Sequence, residues 1–74
     1  MRSISVRQIE VFCETAAAGS ITSAALKLHM TQSAASMALA QFEKEAGGQV
    51  FTRLGRSLKL NDRGLRLRPA AEQT

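Results

Sequence analysis

The strongest constraint on the fold is a pair of helical patterns separated by only about three residues. The first pattern repeats apolar residues at the spacing of one helix face, at Ile21, Ala24, Ala25 and Leu28. The second runs from Gln32 to Ala46 without a glycine or proline. Because Ala24 and Ala25 lack bulk, a following helix can pack closely against the first. The sequence therefore predicts a helix-turn-helix over about residues 21–40.

Residues that begin and end helices stand at the boundaries of these patterns. Ser20 and Thr31 can each accept a hydrogen bond from a free amide of the helix that follows. The second helix is predicted to have eight or nine residues, and the third to stop at Gly47-Gly48. Before them, a first helix ending near Gly19 is predicted to bury one stripe, formed by Ile9, Phe12, Cys13 and Ala16.

Beyond Gly48 the apolar spacing changes from that of a helix to that of a strand. Val50–Leu54 and Ser57–Leu60 are predicted strands, and Gly55-Arg56 suits the two-residue turn of a hairpin. Asn61 can begin a fourth helix. The predicted fold class is mainly α, a winged helix-turn-helix. It consists of a three-helix core, a two-stranded β-hairpin called the wing, and the start of a fourth helix.

Size and charge narrow the function. The 74 residues leave no room for both a core and an enclosed substrate pocket, which argues against an enzyme. Residues 51–68 contain six arginines and lysines against Asp62 alone, whereas residues 1–50 are balanced, so the basic segment predicts a polyanionic partner. A solvated basic face is the alternative. Cys13 stands alone, and no apolar run is long enough for a membrane span, which predicts a cytoplasmic protein.

The exposed face predicted for the third helix carries short polar side chains, at Thr31, Gln32, Ser33 and Ser36, together with Met37. Glutamine can pair with both polar atoms of an adenine edge, serine and threonine reach bases or phosphates, and an apolar side chain can touch a thymine methyl. Arg56 at the wing tip can enter a minor groove. These features favour binding to double-stranded DNA. An ordinary three-helix core with an alanine-rich solvent face is the alternative.

The order of residues from Ala16 to Gly64 resembles the N-terminal domain of LysR-type transcriptional regulators. The matching positions are Gly19-Ser20-Ile21, Ala24-Ala25, Leu28, Gln32, Ala34, Ser36, Leu39, Glu43, Gly47, Phe51, Arg53, Gly55-Arg56, Leu60 and Gly64. The chain departs from the family pattern at Ser33, where proline is common, and at Met37, where many members have arginine. Methionine cannot donate a hydrogen bond, so Met37 is expected to make apolar contact with the base it faces.

The resemblance implies roles for the matched positions. The residues expected to face the major groove are Gln32, Ser33, Ser36 and Met37. Those expected near phosphates are Ser20, Thr22, Ser23 and Thr31, and those expected at the DNA backbone and minor groove are Arg53 and Arg56. No catalytic residue, cofactor or metal is predicted, because His29 is the only histidine and has no companion ligand.

The resemblance also implies the organisation of a larger protein. Residues 1–60 would form the winged helix-turn-helix, and residues 61–74 would begin a linker helix that pairs protomers into a homo-oligomer. Leu65 and Leu67 are the predicted exposed apolar residues of that helix. A small-molecule effector would bind a C-terminal domain that is absent from this chain.

Two other functions fit parts of the pattern. Molybdate-responsive regulators carry a similar N-terminal winged helix. A winged helix can also serve as a protein-interaction module, for which an apolar or acidic face is expected instead of the polar face on the third helix.

Overall fold

The computed structural model describes residues 4–72, with side chains described as far as residue 68. Three helices come first, α1 (Val6–Ala18), α2 (Ile21–Lys27) and α3 (Gln32–Ala46). A hairpin of β1 (Phe51–Leu54) and β2 (Ser57–Leu60) follows, and α4 (Asp62–Glu72) comes last. The winged helix-turn-helix predicted from the sequence is confirmed.

The first helix begins at a reciprocal cap and ends at a left-handed glycine. The Ser5 hydroxyl accepts from the Gln8 amide while the Gln8 side chain accepts from the Ser5 amide. Gly19 has φ 73° and donates its amide to the Thr15 carbonyl, a conformation that a glycine adopts without strain.

The buried stripe of α1 differs from the predicted one. Its buried positions are Gln8, Val11, Phe12 and Thr15, whereas Ile9, Cys13 and Ala16 are half-buried at its edge. The reason is that α1 contacts several elements at once, namely α2, α3, α4 and β2. Its buried arc is therefore wider than one apolar stripe and includes polar residues.

The helix-turn-helix forms as predicted, with a shorter first arm. Helix α2 has seven residues and ends at Lys27 with Leu28 as its C-cap, because His29 takes a left-handed φ of 58° that stops the helix. The Met30 amide then donates to the Ala25 carbonyl at 2.8 Å, which closes the turn. Ala24 and Ala25 are both buried, in agreement with the close crossing predicted for them.

The core lies between the three helices and the entry to the wing. The rings of Phe12 and Phe42 stack with centroids 4.5 Å apart, and the Phe51 ring lies 5.8 Å from that of Phe12. Val50 is fully buried but precedes β1, so that strand is one residue shorter than predicted. The Val50 amide is held by the Glu43 carboxylate at 3.0 Å, which fixes the wing to the end of α3.

The wing has the predicted two-residue turn. Leu54 pairs with Ser57, which leaves Gly55 and Arg56 as the turn, and Gly55 has φ 61°. Leu58 and Leu60 are half-buried against the core while Lys59 is exposed, as the alternation predicted.

Helix α4 packs closely against the chain entering the wing. The Asn61 side chain accepts from the Gly64 amide at 2.9 Å and therefore caps the helix as predicted. At Gly64 a side chain would overlap the carbonyl oxygen of Val50, so only glycine allows this approach. Leu65 is exposed as predicted, but Leu67 packs against the core and is half-buried.

Candidate nucleic-acid interface

The turn between α2 and α3 brings two of the predicted site residues into direct contact. The Thr22 hydroxyl donates to Oε1 of Gln32 at 3.2 Å, and both side chains are exposed. Thr22 lies in the first turn of α2 and Gln32 is the first residue of α3. The bond joins the two arms of the helix-turn-helix at its surface.

Two of the predicted hydroxyl residues are helix caps. The Ser20 hydroxyl accepts from the Ser23 amide at 3.2 Å, and the Thr31 hydroxyl accepts from the Ala34 amide at 3.0 Å. A hydroxyl that accepts a bond from an amide keeps its own proton for donation. Ser20 and Thr31 can therefore stabilise their helices and donate to a ligand oxygen together.

The outer face of α3 is uncharged through its first half and carries mainly short polar side chains together with Met37. Gln32, Ser33 and Ser36 are exposed, and Met37 has 64% of its surface exposed. The opposite face of the helix is buried, formed by Ala35, Leu39 and Phe42. Because α3 is anchored on that side, its outer face is presented in a fixed orientation.

The wing adds two arginines to the same surface. The side chains of Arg53 and Arg56 are exposed and form no ion pair or hydrogen bond with another described residue. Together with the start of α2 and the face of α3 they border a cleft of about 200 Å³, whose lining comprises Ser20, Ile21, Thr22, Gln32, Ser36, Arg53, Arg56 and Leu58. The cleft thus joins six of the ten predicted site residues. The other four are exposed outside it, at Ser23, Thr31, Ser33 and Met37.

One backbone contact that fixes the wing was not predicted from the sequence. The Leu58 amide donates to the Gly19 carbonyl at 2.9 Å, between β2 and the loop that joins α1 to α2. Leu58 is paired with Arg53 across the hairpin. The bond therefore sets the distance between the arginine side of the wing and the helix-turn-helix. Backbone groups give no side-chain signal, so this pairing is visible only in the folded chain.

The rest of the basic segment is directed elsewhere. Arg63 donates to the Gln49 carbonyl at 3.2 Å and lies over Gly48, where a side chain would displace its guanidinium. Arg66 donates to the carbonyl of Asp62 within α4 at 3.4 Å. Lys59 and Arg68 border a separate open groove between the end of α1, β2 and α4. Only part of the basic charge therefore adjoins the polar face of α3.

Other candidate chemistry is not assembled in the described part of the chain. Within it, no three histidine, cysteine, aspartate or glutamate side chains lie together as a metal site would require. His29 is an exposed turn residue and Cys13 is half-buried beside the core. None of the helices described there has the length and apolar character needed to cross a membrane.

Comparisons with known proteins agree with this geometry. The family model of the bacterial regulatory helix-turn-helix proteins, lysR family, matches residues 6–65. The chain is 44% identical over 68 residues to the uncharacterized HTH-type transcriptional regulator YeiE of Escherichia coli K12, covering 92% of this chain and 23% of that protein. The chain thus spans about a quarter of the length of this relative.

Solved structures give the same result. The DNA-binding domain of CbnR, solved as a DNA complex, superposes with a TM-score of 0.86 at 26% identity, covering 93% of this chain and 79% of that one. The BenM DNA-binding domain in its complex with benA site 1 DNA gives 0.85 at 28% identity, covering 93% and 80%. The chain belongs to the lysR family of bacterial regulatory helix-turn-helix proteins and is a DNA-binding domain of that family rather than a member of an enzyme family.

Proposed function

We propose that this chain binds double-stranded DNA sequence-specifically, with the outer face of α3 in the major groove and the wing at the adjacent minor groove. One observation carries the proposal. The uncharged outer face of α3 and the exposed arginines Arg53 and Arg56 border the same cleft. Groups that can read base edges and groups that can neutralise phosphates thus form one continuous surface.

Base reading is assigned to the exposed residues of α3. Gln32 can pair with an adenine edge, and Ser33 and Ser36 can bond to bases within reach of short side chains. Met37, with most of its surface exposed, can contact a thymine methyl but donates no hydrogen bond. The expected site therefore includes A·T pairs opposite this helix.

Affinity is assigned to the hydroxyls and arginines around the base-reading residues. Hydroxyls at the starts of α2 and α3 can donate to phosphates, from Ser20, Ser23 and Thr31. Arg53 would contact the backbone, and Arg56 at the wing tip would enter the minor groove, where a narrow groove concentrates negative potential. Each phosphate neutralised makes binding more sensitive to salt.

We further propose that residues 1–60 form the DNA-binding unit and that α4 begins a linker helix of a longer cytoplasmic regulator. Similarity to longer relatives supports this, since the chain spans about a quarter of YeiE. The exposed Leu65 on α4 would pack against the linker helix of a second copy. An effector-binding domain would follow the linker helix and respond to a small molecule. Neither part would catalyse a reaction.

The test compares two substitutions at the shared cleft. Arg56→Ala should weaken binding to specific and random duplexes alike. It should also reduce the salt slope, the slope of log affinity against log salt concentration, by about 1, the value for one phosphate contact. Gln32→Ala should mainly reduce the preference for the selected site, by a factor of about 5–150, since a good bidentate base contact contributes about 1–3 kcal/mol of discrimination. Titrations at several salt concentrations measure both effects. Unchanged affinity of Arg56→Ala for every duplex would remove the wing from the interface.

A further inference from the structure

We infer that Thr22 is a positioning residue for base recognition: its hydroxyl holds the side-chain amide of Gln32, and the pair sets the base preference. This inference rests on the proposed function, because it concerns how the face of α3 reads DNA. It changes the role that family resemblance implies for Thr22, which is contact with a phosphate.

The bond exists only because of the helix-turn-helix geometry. Thr22 and Gln32 lie on different helices, and Oγ1 of Thr22 is 3.2 Å from Oε1 of Gln32. Both side chains are exposed and border the same cleft, so neither is held by burial in the core. The hydroxyl of Thr22 is thus the contact that restrains the Gln32 amide at the surface.

Restraint matters because glutamine is a flexible side chain. An exposed glutamine loses rotamer freedom when it binds a base, and this loss opposes binding. Threonine is branched at Cβ and has few allowed χ1 positions, so it is a stiff support. A Gln32 already held by Thr22 loses less freedom on contact with DNA.

The atoms left available on Gln32 suit an adenine edge. A carbonyl oxygen accepts two hydrogen bonds, so Oε1 keeps one acceptor position while the amide keeps both N–H donors. Adenine offers one donor and one acceptor in the major groove. Thr22 has one hydroxyl proton and cannot donate to Gln32 and to a phosphate at once. The two roles of Thr22 therefore predict different results.

The experiment is a double-mutant cycle on DNA discrimination. The wild-type chain first selects duplexes from a random pool, and Gln32→Ala identifies the base pair that Gln32 reads. Discrimination at that pair is then measured for Thr22→Val, Thr22→Ser and the double variant Thr22→Val/Gln32→Ala. Thr22→Val keeps the shape of the side chain and removes the hydroxyl, and Thr22→Ser restores it. Melting curves confirm that each variant is folded.

We expect Thr22→Val to reduce discrimination at that pair by about 3- to 10-fold, the size of one hydrogen bond. Thr22→Ser should retain most of the discrimination. Adding Thr22→Val to Gln32→Ala should reduce discrimination no further. The salt slope of Thr22→Val should equal that of the wild-type chain. If Thr22→Val instead weakens binding to selected and random duplexes equally, both in the wild-type chain and in Gln32→Ala, the inference about Thr22 is overturned while the proposed function stands. A wild-type chain that selects no duplex would overturn the proposed function as well.

Discussion

Helix α2 crosses the core closely at Ala25, and the structure indicates how much stability a larger side chain at this position would cost. Ala25 is 3% exposed and belongs to the core cluster with Phe12 and Leu39. Ala25→Leu adds three heavy atoms at an almost fully buried position, so α2 is expected to shift or neighbouring side chains to leave their preferred rotamers. Overpacking of this kind typically costs about 1–3 kcal/mol, and we expect a loss of that size in the free energy of unfolding.

The matched control is Ala40→Leu, which makes the same change on the exposed side of α3. Both substitutions alter helix propensity equally, so their difference isolates crowding at the crossing. Urea titration gives the free energies, and thermal unfolding should shift by about 4–8 °C for each kcal/mol in a domain of this size. Equal stability of the Ala25→Leu and Ala40→Leu variants would refute the claim that the alanines are required for close packing.

Two further substitutions test individual contacts by the same unfolding measurements. The Thr15 hydroxyl is fully buried with no hydrogen-bond partner among the described residues. Thr15→Val should therefore stabilise the chain by about 1–2 kcal/mol. A loss of stability would mean that the hydroxyl is hydrogen-bonded in solution. Gly64→Ala should destabilise it by about 1–3 kcal/mol, because the added Cβ meets the Val50 carbonyl, which is backbone and cannot rotate away. A gain from the higher helix propensity of alanine would show that α4 is not docked there.

Features set by neighbouring residues were predictable from the sequence. Ser20 and Thr31 cap the following helices, Gly19 ends the first one, and Gly55-Arg56 forms the turn of the wing. Each depends on hydrogen bonds or backbone angles within a few residues, which the residue types specify directly. The family pattern added the roles of the residues that border the cleft, and their contacts with DNA stay predictions.

Features set by distant contacts were not predictable in the same way. The burial of Gln8 and Thr15 follows from helices packing on several sides of α1, which an apolar stripe does not encode. In the sequence, residues 51–68 form one basic segment. In the structure, however, Arg63 donates a hydrogen bond to the Gln49 carbonyl in the loop before β1. Leu67 likewise turns to the core because Gly64 lets α4 approach closely.

The central claim is that the face of α3 and the wing arginines form one DNA-reading surface, and selection from a random duplex pool tests it most directly. The chain should enrich a defined site, bind it more tightly than a shuffled duplex at every salt concentration, and show affinity that falls linearly on a log–log plot against salt. A pool that stays random after selection, with equal affinity for all duplexes, would contradict the account.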